Sequence, residues 1–166
     1  MGEATVKYIS SAENALVKQI VKLQLKKRER DKSKLFVIEG FRENQRALQA
    51  GIKLKSLVFC ADWFLKSSNL ELIGLAEEGG AEIVEVSKSI FAKLSYRDRP
   101  DGFIAIAEQP EIGLERLKLR ADSVLVVVEK IEKPGNLGTL LRGCDATGVD
   151  GLIICEPVTD IFNPNV

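Results

Sequence analysis

Histidine is absent from this chain of 166 residues, and cysteine occurs three times, at Cys60, Cys144 and Cys155. Without histidine or paired cysteines, a zinc site or a histidine-based triad has no raw material, so no bound metal is expected. The cysteines are odd in number, widely separated and set in apolar surroundings, which reads as buried thiols in a reducing compartment. No run approaches the roughly 20 apolar residues of a membrane span, and the N-terminus carries no apolar signal segment. The expectation is a cytoplasmic protein with no membrane partner. Repeats and low-complexity tracts are lacking, as are the dinucleotide fingerprint GxGxxG and a phosphate loop ending in Gly-Lys-Ser/Thr. An excess of base is lacking too, since 24 Lys+Arg balance 24 Asp+Glu.

The charges are nevertheless unevenly placed. Between Lys18 and Lys34 stand eight basic residues, Lys18, Lys22, Lys26, Lys27, Arg28, Arg30, Lys32 and Lys34, against two acidic ones, Glu29 and Asp31. The segment from Arg120 onward is acid-rich. Local patches rather than whole-chain charge set phosphate attraction, so the basic stretch is a candidate nucleic-acid-binding surface; a solvated helix face with a frayed end is the alternative. Arg97 and Arg99 are further candidates for phosphate contact, with local pairing to Asp98 as the bland reading. Tyr96 beside them is placed either to stack on a splayed base or to pack.

Apolar strands alternate with amphipathic helices, which argues an α/β fold. Ser11 is placed to cap a first helix with the apolar stripe Leu16, Val17, Ile20 and Val21, and the basic stretch falls at its C-terminal end, where cations suit the helix dipole. Strands are expected over 35–38, 57–60, 83–86 and 103–107, and helices over 41–50, 69–78 and 87–94, the last capped by Ser87. Residues 1–107 are long enough to form an independent domain. Residues 108–122 turn polar, contain Pro110 and Gly113, and read as a linker to a second domain over 123–166.

The most informative segment runs from Val124 to Arg142. The run Val124-Leu125-Val126-Val127-Val128 reads as a strand buried on both faces of a parallel sheet. A Pro134-Gly135 loop and an amphipathic helix follow, and in an open α/β sheet chemistry sits at such strand ends. Asn136 is placed to cap the helix, while Gly135 and Gly138 leave room for a backbone or ligand to approach. The helix should end at Gly148 and the next buried strand span 151–155. Arg142 lies one turn after Gly138 on the face of Asn136 and Thr139, either projecting to the loop side of the sheet or pairing with Glu129 or Asp145. By residue type alone any βαβ unit fits, including one that holds phosphate in the loop from Pro134 to Gly138.

The whole string PGNLGTLLRGCDATGVDGLII resembles the first signature motif of the SpoU, or TrmH, family of RNA ribose 2′-O-methyltransferases. Its pattern of Asn, Gly, Arg and Ala-x-Gly falls on Asn136, Gly138, Arg142, Ala146 and Gly148. The string FVIEGFR at 36–42 is similar to the valine-glutamate-glycine opening of that family's N-terminal substrate-binding domain. Residues 94–105 resemble the loop and strand that close it, with Asp101 where the family more often has glutamine.

The resemblance implies a small α/β RNA-binding domain followed by the incomplete start of a SPOUT-type, trefoil-knot, parallel-sheet domain. It implies methyl transfer from S-adenosylmethionine to a ribose of rRNA or tRNA by a homodimer, with Arg142 as the catalytic arginine and Asn136 beside it. Lys26, Lys27, Arg28, Arg30, Arg97 and Arg99 are the candidate RNA contacts. The family's second and third motifs, which supply most of the cofactor pocket, have no counterpart here, so cofactor-binding residues stay unassigned. The chain is therefore expected to be a fragment inactive by itself, and a non-catalytic RNA-binding module is the alternative.

Overall fold

The structure, a computed structural model, describes residues 6–64 and 69–166. The chain divides into two units, Met1–Gln109 and Pro110–Val166. In the first, the order is β1 (Lys7–Ile9), α1 (Ala15–Leu25), α2 (Lys27–Ser33), β2 (Leu35–Glu39), α3 (Phe41–Gln49), β3 (Leu54–Phe59), α4 (Asn69–Glu78), β4 (Glu82–Val86), α5 (Lys88–Leu94) and β5 (Phe103–Glu108). The five strands form one sheet in the order β1-β4-β3-β5-β2. β4 is parallel to both β1 and β3, whereas β5 runs antiparallel between β3 and β2.

Alternation along β5 shows how the sheet builds two cores. Ile104 and Ile106 join Val17, Ile20 and Leu23 of α1 and Ile90, Phe91 and Leu94 of α5 on one face. Phe103, Ala105 and Ala107 join Leu72 and Ala76 of α4, with Phe41 and Leu48 of α3 packed alongside, on the other. A strand with helices on both faces must be apolar throughout, and Phe103–Ala107 are all buried. β1 was not foreseen: its three residues carry no apolar alternation and are held by pairing with β4 from far along the chain.

The first helix is capped by Asn14, whose Oδ1 accepts from the Leu16 amide at 2.9 Å, and not by Ser11, which accepts from the Glu13 amide instead. The basic stretch is no frayed end, because the chain breaks at extended Lys26 and restarts as α2, closed by Lys34 in the left-handed region. Ser87 caps α5 through a 3.4 Å bond from the Ile90 amide, and α4 keeps its expected bounds.

The second unit contains β6 (Leu125–Glu129), α6 (Pro134–Thr147) and β7 (Gly151–Cys155), with β6 and β7 paired in parallel as a two-stranded sheet. The stretch read as a linker holds a 3₁₀ turn at Leu114–Arg116. Arg120 donates to Asp150 at 3.1 Å, and a Cβ on Gly151 would lie 2.9 Å from Leu117. β6 is not buried on both faces as its composition suggested: Val127 is 61% exposed, because β7 is its one strand partner among the described residues. Cys60 and Cys144 are buried, but Cys155 at the end of β7 is exposed, which corrects the expectation of three buried thiols. Among the described residues no helix is long and apolar enough to cross a membrane.

Candidate functional site

The turn between β6 and α6 carries the strongest sequence signal, and its geometry differs from expectation at the helix start. α6 begins at Pro134, with Lys133 as N-cap and no side-chain capping bond. Proline suits the first helical position because its fixed φ is already helical and its missing N–H is one that the helix leaves unbonded. Asn136 therefore sits inside the first turn, exposed, and does not cap the helix. At the other end Gly148 closes α6 at φ +69°, as the sequence suggested.

Asn136, Thr139 and Arg142 share the exposed face of α6, while Leu137, Gly138 and Cys144 turn inward. The Arg142 Nη2 donates to Thr139 Oγ1 at 3.2 Å, and that hydroxyl donates to the Gly135 carbonyl at 2.8 Å. The guanidinium is thus folded back toward the start of the helix. A Cβ at Gly138 would lie 3.3 Å from Arg142 Nη1 and would run into the main-chain carbonyl of Val166. Glycine is needed here because two groups approach the same point. The tail is brought back to this turn by a bond from the Thr159 amide to the Ile131 carbonyl at 3.1 Å. The result is a solvent-facing cation over a small-residue surface, a donor set suited to phosphate or a developing oxyanion.

In the first unit the candidate RNA contacts separate into two groups. Lys26, Lys27 and Arg28 are exposed, although Lys27 pairs with Asp31 at 2.6 Å. Arg30 is not a surface contact: it is 2% exposed, and its Nη1 donates to the carbonyls of Leu23 and Gln24. Those carbonyls lie in the last turn of α1, where a helix leaves acceptors without internal partners, so Arg30 serves as an internal cap.

Arg97 is engaged with Glu43 at 2.7 Å rather than with Asp98, and lies over Gly40, whose φ of +113° and crowded Cβ position admit only glycine. Arg99 is exposed. Beneath them Glu39 is 4% exposed and accepts from the Ser95 hydroxyl and the Tyr96 amide. Burial pushes the Glu39 carboxyl above its usual range, an effect that these two donors oppose. Asp101, given no role from the sequence, accepts from the Phe41 amide at 2.8 Å and so caps α3 from across the sheet end. Its signal was available only as an acid beside a glycine, because the cap and the helix are separated by 60 positions.

Comparison with known proteins bears on both units. Residues 14–105 match the MRM3-like substrate binding domain, and residues 123–166 match the SpoU rRNA Methylase family. The chain is 32% identical over 159 residues to the 23S rRNA (guanosine(2553)-2'-O)-methyltransferase RlmP of Bacillus subtilis (strain 168), covering 95% of this chain and 58% of that protein. Among solved structures, the AdoMet bound rRNA methyltransferase from Sinorhizobium meliloti aligns with a TM-score of 0.82 at 30% identity, over 95% of this chain and 57% of that one. An RNA 2'-O ribose methyltransferase aligns with a TM-score of 0.79 at 35% identity, over 95% and 58%. The chain thus spans a little over half the length of each of these three relatives.

Proposed function

The chain belongs to the SpoU rRNA Methylase family and carries an MRM3-like substrate binding domain, and from that premise we propose that it takes part in methylating a ribose 2′-hydroxyl of ribosomal RNA. Residues 1–107 hold the RNA, 108–122 connect, and 123–166 contribute Arg142 to the reaction, in a cytoplasmic homodimer with no membrane partner. The observation that carries the reading is the placement of Arg142, folded back over Gly138 and Thr139 at the strand-to-helix turn.

S-adenosylmethionine is the methyl donor in this reading. The described residues offer it a wall rather than an enclosed pocket: Val127 is 61% exposed, Asn136 and Arg142 face solvent, and Gly138 is already approached by Val166. We therefore expect these 166 residues alone neither to bind the cofactor tightly nor to methylate RNA. Micromolar binding in a calorimetric titration would contradict that.

The guanidinium itself is a poor base, because its delocalised charge holds the proton tightly. Its role is to hold the neighbouring phosphate and stabilise the developing alkoxide while the 2′-hydroxyl passes its proton to solvent water and its oxygen takes the methyl group, S-adenosylhomocysteine leaving. In a protein of the relatives' full length, Arg142→Ala should slow single-turnover methylation on the order of a hundredfold or more. Much of the RNA affinity should remain, because the base-recognising surface belongs to the first unit. Arg142→Lys should recover part of the rate, because it keeps the charge and loses the planar fork. A normal rate in the alanine variant would remove Arg142 from the chemistry. The alternative of an RNA-binding module without catalysis draws on the first unit, whose core is complete on both sheet faces.

A further inference from the structure

Outside the α6 turn, the part of the molecule that the proposed chemistry leaves unexplained is the 95–101 loop. It only has to join α5 to β5, yet it is fastened along its length. Glu39 takes the Ser95 hydroxyl and the Tyr96 amide, Glu43 takes Arg97, and Asp101 takes the Phe41 amide. The next residue, Gly102, accepts from the Cys60 amide at 3.0 Å. Burying Glu39 in this way opposes folding by desolvation, so a connection alone does not account for it.

The fastened loop presents a particular surface. Tyr96 is 46% exposed and Arg99 is exposed beyond it. The end of α1 is tied to the same place, because Gln24 Nε2 donates to the Leu94 carbonyl at 2.7 Å. Leu25, 76% exposed, and Lys26, also exposed, follow Gln24 directly in the chain. Three of the acids here are turned to internal bonds, Glu39 and Asp101 toward main-chain amides and Glu43 toward Arg97, while Asp98 is exposed beside Arg99. The surface is therefore an aromatic ring with an exposed arginine and one exposed acid beside it.

We propose that this sheet end receives an unpaired nucleotide of the RNA, its base on the Tyr96 ring and its phosphate between Arg99 and Lys26. The proposal rests on the RNA-binding reading above and narrows the substrate to RNA with exposed bases. A regular A-form helix keeps its bases stacked and offers an aromatic side chain no face to cover, whereas loops and bulges do. Lysines and arginines alone would bind duplex and loop alike. A fastened main chain suits stacking, since it leaves less backbone freedom to lose on contact.

The test uses the 166-residue chain, a fluorescently labelled RNA hairpin with an open loop, and a blunt duplex with the same stem sequence, read by anisotropy across a salt series. The wild type should prefer the hairpin. Tyr96→Leu should weaken hairpin binding about tenfold and leave duplex binding unchanged, while Tyr96→Phe should match the wild type. Arg99→Gln should lower the salt slope on the hairpin by about 0.7, the single-strand value for one phosphate contact. The Glu39 bond uses the Tyr96 main chain, so the side-chain variants leave it in place, and an unchanged melting temperature verifies folding. Equal binding of hairpin and duplex, or indifference to Tyr96→Leu, would overturn the proposal while leaving the RNA-binding reading intact. Absence of salt-dependent binding to either RNA would overturn both.

Discussion

In Met1–Gln109 every residue of β5 from Phe103 to Ala107 is buried, whereas in Pro110–Val166 the comparably apolar β6 leaves Val127 61% exposed. The two strands are equally apolar in sequence and differ in what covers them. β5 has strands on both sides and helices on both faces; β6 has β7 as a partner and one helix in its unit. An apolar run is thus a requirement for cover, and the neighbours decide whether the requirement is met. The unit with the complete core carries the basic surface, and the unit with the open sheet carries Arg142.

Truncating a side chain in each strand should expose this asymmetry most strongly. Phe103→Ala should cost about 3–5 kcal/mol, because it empties a fully enclosed site. Val127→Ala should fall within about 0.5 kcal/mol, as exposed positions do. Urea denaturation followed by circular dichroism measures both, and a Val127 cost as large as that of Phe103 would break the comparison.

Gly40→Ala probes the fastened loop of the first unit. A residue with a Cβ at φ +113° is strained, and the Cβ would displace Arg97 from Glu43, so a loss of about 1–3 kcal/mol is expected. Gly135 shows no heavy atom within 4 Å of a Cβ, and alanine there should be close to neutral. A loss at Gly135 matching that at Gly40 would place the turn of the second unit under the same constraint.

Arg30 sharpens the distinction between a basic sequence and a basic surface. Arg30→Gln should destabilise by about 1–2 kcal/mol through the uncapped carbonyls of Leu23 and Gln24. The salt dependence of RNA binding should stay where it was. Neutralising Lys26, Lys27 and Arg28 together should do the reverse, weakening binding to all RNA sequences and flattening the salt slope with little change in stability. If Arg30→Gln flattened the slope at unchanged stability, its interior placement would be wrong.

The smallest effect concerns pH. Burial raises the folded-state pKa of Glu39 above its ordinary value of 4.5, so the unfolded chain gives up this proton first. Its contribution to stability is therefore fullest below 4.5 and declines as pH rises through the folded-state value. Relative to Glu39→Gln, the wild type should lose stability on going from acid to neutral pH. Glu13, Asp31 and Glu108, lowered by bonds to lysines, work in the opposite direction in both proteins and cancel in the difference. A difference that grew in favour of the wild type as pH rose would show that Ser95 and Tyr96 outweigh the burial.

The sequence was most legible where local chemistry decides the outcome. Gly148 and Ser87 end and start their helices as their types require, and 151–155 forms a strand as its run of Leu152, Ile153 and Ile154 suggests. It was least legible where distant residues meet. Arg30 looked like its exposed neighbours until α2 turned it under α1, and Asp101 found its partner across the sheet end. The α6 start failed for a local reason: Pro134 offered a stronger helix start than Asn136 two positions on. The tie of Thr139 to Arg142 combines helical spacing, which the sequence shows, with a rotamer choice, which it does not.

Hydrogen exchange on the 166-residue chain with and without an RNA hairpin tests most directly whether recognition and chemistry occupy separate units. Exchange should slow over residues 22–28 and 96–99 and stay unchanged along Pro134–Thr147. Protection centred on α6, with the first unit unaffected, would contradict it.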